Sequence, residues 1–419
     1  MLRTNTVLLR PTLEQETALF DLLEQSARLW NVANYERRQA LFKKLGMPSY
    51  AAQCKRLKTN EHFIILGTGK AQALLQKLDE AWKAYRKLKQ MKANHTLPSS
   101  IKKVRPPSYW KDDDGELEPR LIAVRSDCWR ADAEAQIISI SRRLKIPYAS
   151  GDLWVGKRGR LEIQYDKISN RWYAHVPVNL ETQPITNKTK AAAIDIGICN
   201  LIALAIEGHS QQIIWNGGAV LADWQYWTKR ISKYESQLKR DNGKDGSLGL
   251  SRLYRARTRR KTHAINAMLR QLFEILEENG VGLLKFGDLT GIREDANHGD
   301  SGNQKLHNFW VFAQMQKRII ELAEEYGIRY EKVDERNSSK TCVFHPDEQK
   351  GRIHRGLYRC REFGIEYNAD AGGATNLLYG NGSGKVATTG TQHGNVRPTS
   401  GSGALARPLF KRWDYHVWS

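Results

Sequence analysis

Apolar side chains recur at helical spacing twice in the first hundred residues. Leu19, Leu22, Leu23 and Trp30, with Ser26 between them, form one stripe; Ala71, Leu74, Leu75, Leu78, Trp82 and Tyr85 form a second. Thr12 followed three residues on by Gln15 is a capping-box start for the first helix. A helical module over residues 11–96 is therefore expected, behind a short strand at 1–10. Prolines and lysines at 97–110 (Pro98, Lys102, Lys103, Arg105, Pro106, Pro107) break that pattern and predict a linker. Apolar and polar positions then alternate at 136–140, 160–164 and 171–178, which predicts an antiparallel β domain over 97–190.

From residue 191 the pattern changes. Residues 191–206 and 281–286 read as buried strands, 224–279 as a basic helical stretch, 308–326 as a helix and 329–333 as a short strand. Strands alternating with helices predict an α/β domain. A cysteine-containing insert follows at 336–367, then a helix start at Asn368-Ala369-Asp370. The chain beyond residue 380 is rich in Gly, Ser and Thr, so 381–419 is expected as a flexible tail. Within it, Gly382-Ser383-Gly384-Lys385 lacks the spacing of a phosphate-cradling loop.

Charge narrows the partner. The 419 residues carry 66 Lys and Arg against 45 Asp and Glu, a formal net charge of +21. That excess calls for a polyanion, and nucleic acid is expected over a membrane because no apolar run is long enough to span a bilayer. The five scattered cysteines form no disulfide framework and fit a reducing cytoplasm. Between Lys229 and Lys261 twelve Lys or Arg face three acids, Glu235, Asp241 and Asp245. Such a block repels itself unless phosphates neutralise it, which nominates Lys229, Arg230, Arg252, Arg255, Arg257, Arg259, Arg260 and Lys261 as nucleic-acid contacts.

Two acids stand out. Asp195 interrupts the apolar strand Ala193-Ile194-Asp195-Ile196-Gly197, where a carboxylate needs a cation or a donor. Asp370 opens the helix at 368–376, where capping is the ordinary alternative. Asp195-Ile-Gly, Gly287-Asp288-Leu289, Ser338-Ser-Lys-Thr-Cys342, Gly356-Leu-Tyr-Arg-Cys360 and Asn368-Ala-Asp370 through Asn376-Leu-Leu occur in that order. Together they resemble TnpB, the transposon-encoded RNA-guided nuclease, and its descendants, the small type V CRISPR effectors. The opening Leu9-Arg-Pro-Thr-Leu-Glu-Gln stretch and Arg171-Trp172-Tyr173 extend the likeness over nearly the whole chain.

The resemblance implies a multidomain α+β protein. A wedge β domain would begin at 1–10 and continue through 97–190, with the helical module acting in recognition. A RuvC-like domain of ribonuclease H-like fold would span 191–335 and 368–380, interrupted by a zinc-ribbon-like insert. It implies a guide RNA and double-stranded target DNA as partners and a prokaryotic, nucleoid-associated cytoplasmic setting. Three carboxylates would hold magnesium, which demands oxygen ligands. Asp195 matches the first and Asp370 the third. The second should be a glutamate just before an Asp-Leu pair, where this chain has Gly287. Asp288 is a candidate substitute, but successive strand side chains point to opposite faces; Glu294 and Asp295 lie further along.

A vacant third position implies impaired catalysis, and hence DNA binding without cutting, as in nuclease-dead relatives that repress transcription by occupancy. An active RNA-guided endonuclease and a guide-independent nucleic-acid binder stay open as alternatives. The expected zinc site is also degraded. Its pairs read Cys342-Val-Phe-His345 and Cys360-Arg-Glu-Phe363, leaving three ligands and His354 as a candidate fourth.

Overall fold

The computed structural model describes the chain apart from residues 99–100, 150–152, 182, 186–187, 210, 244, 289–308, 310–311, 336–337, 339, 346–351, 355 and 381–406. Met1–Glu181 and Thr182–Ser419 are two compact units.

In the first unit, strand β1 (Leu2–Leu9) alternates strictly, turning Arg3, Asn5, Val7 and Leu9 inward. It lies between β8 (Arg171–Asn179) and β5 (Lys145–Ala149), antiparallel to both. The sheet extends through β7 (Leu161–Asp166) and β2 (Ile122–Val124) on one side and β4 (Ile137–Ser139) and β3 (Arg130–Asp132) on the other, with β6 (Lys157–Arg158) against β8. Thus the first nine residues belong to a sheet otherwise built more than a hundred residues later.

Helix α1 (Leu13–Phe42) starts at the Thr12–Gln15 capping box. Together with α2 (Tyr50–Arg56), α3 (Glu61–Leu66) and α4 (Thr68–Ala93), it buries Leu29, Trp30, Leu74, Leu75, Leu78 and Trp82 in one cluster. The Pro/Lys-rich stretch departs from a free linker. Trp110 stacks on Trp30 with ring centres 4.7 Å apart, while Trp30 Nε1 donates to the Ser108 carbonyl and Asn34 Nδ2 to that of Pro107. Prolines that forbid helix leave carbonyls exposed for these α1 side chains to bind.

Arg37 is fully buried at the centre of this bundle, giving hydrogen bonds to Gln53 and, at 2.9 Å, to Asp79. Burial alone would raise the Asp79 pKa; hydrogen bonds from Lys83 and Arg37 outweigh it and hold the carboxyl below its usual range. The pair therefore contributes stability above the ordinary aspartate pKa that is lost as pH falls through the lowered value.

In the second unit six strands form one sheet, ordered β13 (Arg329–Val333), β12 (Val281–Gly287), β9 (Lys190–Asp195), β10 (Asn200–Ile206), β11 (Ile213–Asn216) and β17 (Leu409–Arg412). β10 runs antiparallel to β9 and β11, whereas β9, β12 and β13 are parallel. Leaving β17 aside, this is the mixed five-strand arrangement of a ribonuclease H-like domain. Helices α5 (Gly218–Asn242), α6 (Leu248–Glu278) and α7 (Phe312–Tyr326) bury Trp224, Met268, Leu272, Phe273, Met315 and Ile319 against the sheet's apolar residues. Helix α8 (Ala369–Tyr379) packs with Ala193, Ala203 and Ala205 in a separate cluster, small residues that allow close approach. A three-stranded sheet, β14 (Arg352–His354), β15 (Leu357–Arg359) and β16 (Glu366–Asn368), leads directly into α8.

The C-terminal segment departs from a flexible tail. β17 pairs in parallel with β11, and Trp413 and Trp418 are buried in the main cluster, with Trp418 Nε1 donating to Ala264 O at 2.9 Å. The Gly/Ser/Thr-rich residues 381–406 lie outside the described chain, so the tail expectation concerns them alone.

Asp79→Ala, which strands a buried guanidinium, is expected to destabilise the first unit by about 3–5 kcal/mol. Urea unfolding followed by tryptophan fluorescence checks this, and the difference from wild type should shrink below pH 4 as Asp79 protonates.

Candidate active site

The sheet brings three strand ends side by side. Phe286 pairs with Ile194 and Gly287 with Val333, so one further step along β9 and β12 sets Asp195 beside Gly287. Asp195 is half-buried, and helix α8 reaches it through Gly373, where a Cβ would come within 2.5 Å of Asp195 Oδ2. The glycine gives that helix room to sit on the carboxylate. Asp370, in the first turn of α8, lies close enough to add its charge. Burial first and then Asp370 push the Asp195 pKa up to about 7.

Asp370 is held from two directions. The Asn368 side chain caps α8 by accepting from the Asp370 and Ala371 amides, and Asn200 Nδ2 donates to Asp370 Oδ2 at 2.6 Å. Asn216 Nδ2 donates in turn to Asn200 Oδ1 at 3.1 Å, and Asn216 Oδ1 accepts from the Gly218 amide. This asparagine relay across β10 and β11 orients the carboxylate. Its one sequence signal is the position of Asn200 three residues beyond the Asp195-Ile-Gly turn.

The position beside Gly287 is not vacant, contrary to the expectation from sequence. A Cβ built on Gly287 would overlap Cγ, Cδ and Oε1 of Glu335. Glu335 lies two residues beyond β13, and the two-residue alternation that puts Val333 beside Gly287 returns Glu335 to the same face. Asp334 and Asp288 fall on the alternate positions, and both are exposed. Glu335 Oε1 is buried and has no hydrogen-bond partner. Burial, followed by the charges of Asp195, Asp288 and Asp334, pushes its pKa up to about 8. Asp288, the candidate substitute, is tied through its backbone amide to Val333 O at 2.8 Å. Glu294 and Asp295 lie outside the described residues.

A Cys/His group sits in the insert. Cys342, His345 and Cys360 have ligand atoms all within 4.8 Å of one another. His345 Nδ1 lies 3.2 Å from Cys360 Sγ, while His345 Nε2 meets Glu362 Oε2 at 2.8 Å. A carboxylate on the second imidazole nitrogen fixes the ring as it does for metal-binding histidines. His354, the expected fourth ligand, is not in the group. Phe363 lies against His345 with the two rings tilted and their centres 4.6 Å apart.

The basic block folds into the α5–α6 pair, and its side chains divide. Lys229, Arg230, Arg252 and Arg259 are exposed, and Arg255 is half-buried. Arg257 donates to Thr228 Oγ1 and lies over the Trp224 and Tyr254 rings. Arg260 grips Asp223 through Nε and a terminal nitrogen at 2.8 and 2.9 Å. Lys261 departs from the expected nucleic-acid contacts, being buried with Nζ donating to Phe309 O at 3.0 Å. A helix this rich in cations must turn some inward, and those find rings, carboxylates or carbonyls.

Two family models match: OrfB_IS605, described as "Probable transposase", over residues 175–293, and "Cas12f1-like, TNB domain" over residues 312–377. The TnpB-like protein ORF457 of Acidianus two-tailed virus is 31% identical over 410 residues, covering 90% of this chain and 86% of its own length. The chain belongs to the TnpB-like family. A CRISPR-associated endodeoxyribonuclease Cas12f1 from Sulfoacidibacillus thermotolerans is 27% identical over 229 residues, 52% of this TnpB-like chain and 53% of that protein. The solved structure of the mini-RNA-guided endonuclease CRISPR-Cas_phi3 aligns with 90% of this chain and 92% of that one, at 10% identity and a TM-score of 0.46. Among the described residues no helix is long and apolar enough to cross a membrane.

Lys261→Met is expected to lower stability by about 1.5–3 kcal/mol through loss of a buried charge-assisted hydrogen bond, whereas Arg259→Ala should leave it unchanged. Denaturation midpoints of the two variants check the division.

Proposed function

We propose that this TnpB-like protein is an RNA-guided effector that uses a bound guide RNA to recognise double-stranded DNA. The observation that carries the reading is family membership across nine-tenths of the chain, joined to a net charge of +21. In such a division of labour, base pairing with the guide selects the sequence while the protein grips backbones through cations. Lys229, Arg230, Arg252 and Arg259 are the exposed contacts that would do so. A short flanking motif in the duplex would be read by the first unit.

The same reading extends to metals. Cys342, His345 and Cys360 fit zinc, which takes nitrogen and sulfur ligands in a tetrahedral set, with the fourth position left to water or another donor. Asp195 and Asp370 fit magnesium. Silencing by occupancy alone follows only if the Gly287 corner is vacant. The Glu335 carboxyl beside Gly287 supports a nuclease centre over a bare clamp.

Sequencing of RNA that copurifies with the protein is expected to return one defined species, and the loaded protein should shift a duplex matching it but not a scrambled one. Heterogeneous RNA with no sequence-dependent shift would favour the guide-independent binder. Affinity should fall steeply with salt, and Arg259→Ala should reduce that dependence by about one unit of log–log slope.

Elemental analysis of the purified protein should find about one zinc per chain. Cys360→Ser should lose it.

A further inference from the structure

We propose that the hairpin following β17 and helix α5 together form a stacking platform for an unpaired DNA strand, built from Tyr415, Arg260 and Trp227 and lying outside the carboxylate corner. The inference rests on the RNA-guided reading above for the source of that strand, which recognition of a duplex would set free, but not for the platform itself.

Three observations carry it. First, the hairpin is a fixed mount. Arg412 and Ser419 exchange backbone hydrogen bonds at 2.8 and 3.1 Å, and Trp413 pairs with Trp418 inside them. Both indoles are buried, and Gln271 Nε2 on α6 donates to Trp418 O at 2.9 Å. At the exposed tip, Asp414 Oδ1 accepts from the His416 and Val417 amides at 2.8 and 2.7 Å. Tyr415 stands in that tip at φ +77°, a left-handed backbone that glycine adopts freely and a bulky residue only at a cost. A tyrosine held there with 48% of its surface exposed points to a use for the ring.

Next, Tyr415 ends an alternating array of rings and guanidinium groups. The Arg260 guanidinium carbon lies 5.8 Å from the Tyr415 ring centre and 5.9 Å from that of Trp227, and Arg230 lies 5.2 Å from Trp227. The grip of Arg260 on Asp223 fixes the guanidinium that the two rings share. Exposed Tyr226 packs edge-on against Trp227 at 6.0 Å. Unpaired bases stack on such rings while cations follow the phosphates, here the exposed Lys229, Arg230 and Arg412. The acids of the patch are taken up, Asp223 by Arg260 and Asp414 by the turn amides, which leaves it fitted to a polyanion.

Finally, the platform stands at the right edge of the sheet. Arg412 pairs with Asn216 and Asn216 with Asn200, whose side chain holds Asp370. Because β9 and β11 both run antiparallel to β10 and β17 runs parallel to β11, the ends of β9, β11 and β17 emerge together. Three strand spacings, about 14 Å, separate β17 from β9 and its Asp195. A strand stacked on Tyr415 is thus within short reach of the carboxylates. That placement commits the platform to the target's DNA rather than the guide, and duplex DNA, whose bases are already stacked on one another, gains little from it.

The test uses the purified full chain and a short single-stranded DNA, unrelated to the copurified RNA, that carries 2-aminopurine, a base whose fluorescence falls on stacking. Tyr415→Gly suits the left-handed backbone and removes only the ring, so it should fold as wild type does. It is expected to bind this strand about tenfold more weakly and to leave the probe bright. Tyr415→Phe, which keeps the ring, should bind and quench like wild type, and an unrelated duplex should bind all three proteins equally.

Unchanged affinity and quenching in Tyr415→Gly would overturn the proposal. So would an equal loss on the duplex, or a loss confined to single-stranded RNA of the same sequence, which would give the platform to the guide. Heterogeneous copurifying RNA, with binding of unpaired DNA still dependent on Tyr415, would remove the RNA-guided reading and leave the platform standing.

Discussion

Carboxylates crowded into one half-buried corner repel one another, and the second unit is arranged around that repulsion. Asp195 ends the central strand, Asp370 begins the helix packed over it, and Glu335 turns in beside Gly287. Burial and neighbouring charge drive the pKa of both Asp195 and Glu335 upward, so the acids of this corner are held under electrostatic strain. A fold selected for stability alone would replace such groups with apolar ones. Small residues at Gly287 and Gly373, and the alanines of β9 and β10, give the space in which the acids meet.

Much of this was legible in the chain. Asp195 in an apolar strand and Asp370 at a helix start are local signals, and the structure brings both to one corner. Strand and helix alternation likewise foretold the α/β unit. Glu335 was not legible, because its partner position lies 48 residues away in sequence, and only the parallel pairing of Gly287 with Val333 places it. From sequence the glycine reads as a deletion; across the sheet it reads as an exchange. The same limit hid β17. A Gly/Ser/Thr-rich approach suggested a tail, yet Leu409–Arg412 adds a strand and Trp413 and Trp418 complete the core. The Pro/Lys-rich stretch misled for a related reason, since its carbonyls are bound by side chains of a helix over seventy residues earlier.

The basic α5–α6 pair shows how composition overstates an interface. Charge counting assigns every cation in the block the same role, whereas helical periodicity turns Arg257 and Lys261 toward rings and carbonyls and leaves Arg259 outward. Arg260 is still exposed at its edge but committed to Asp223. Phosphate contact therefore falls to a subset of the cations, and the others stiffen the surface that carries them.

Anomalous diffraction from crystals grown with Mn²⁺ tests the nuclease-centre reading most directly. Manganese bonded to oxygens of both Asp195 and Asp370 is the expected result. No ordered manganese at this corner would contradict it.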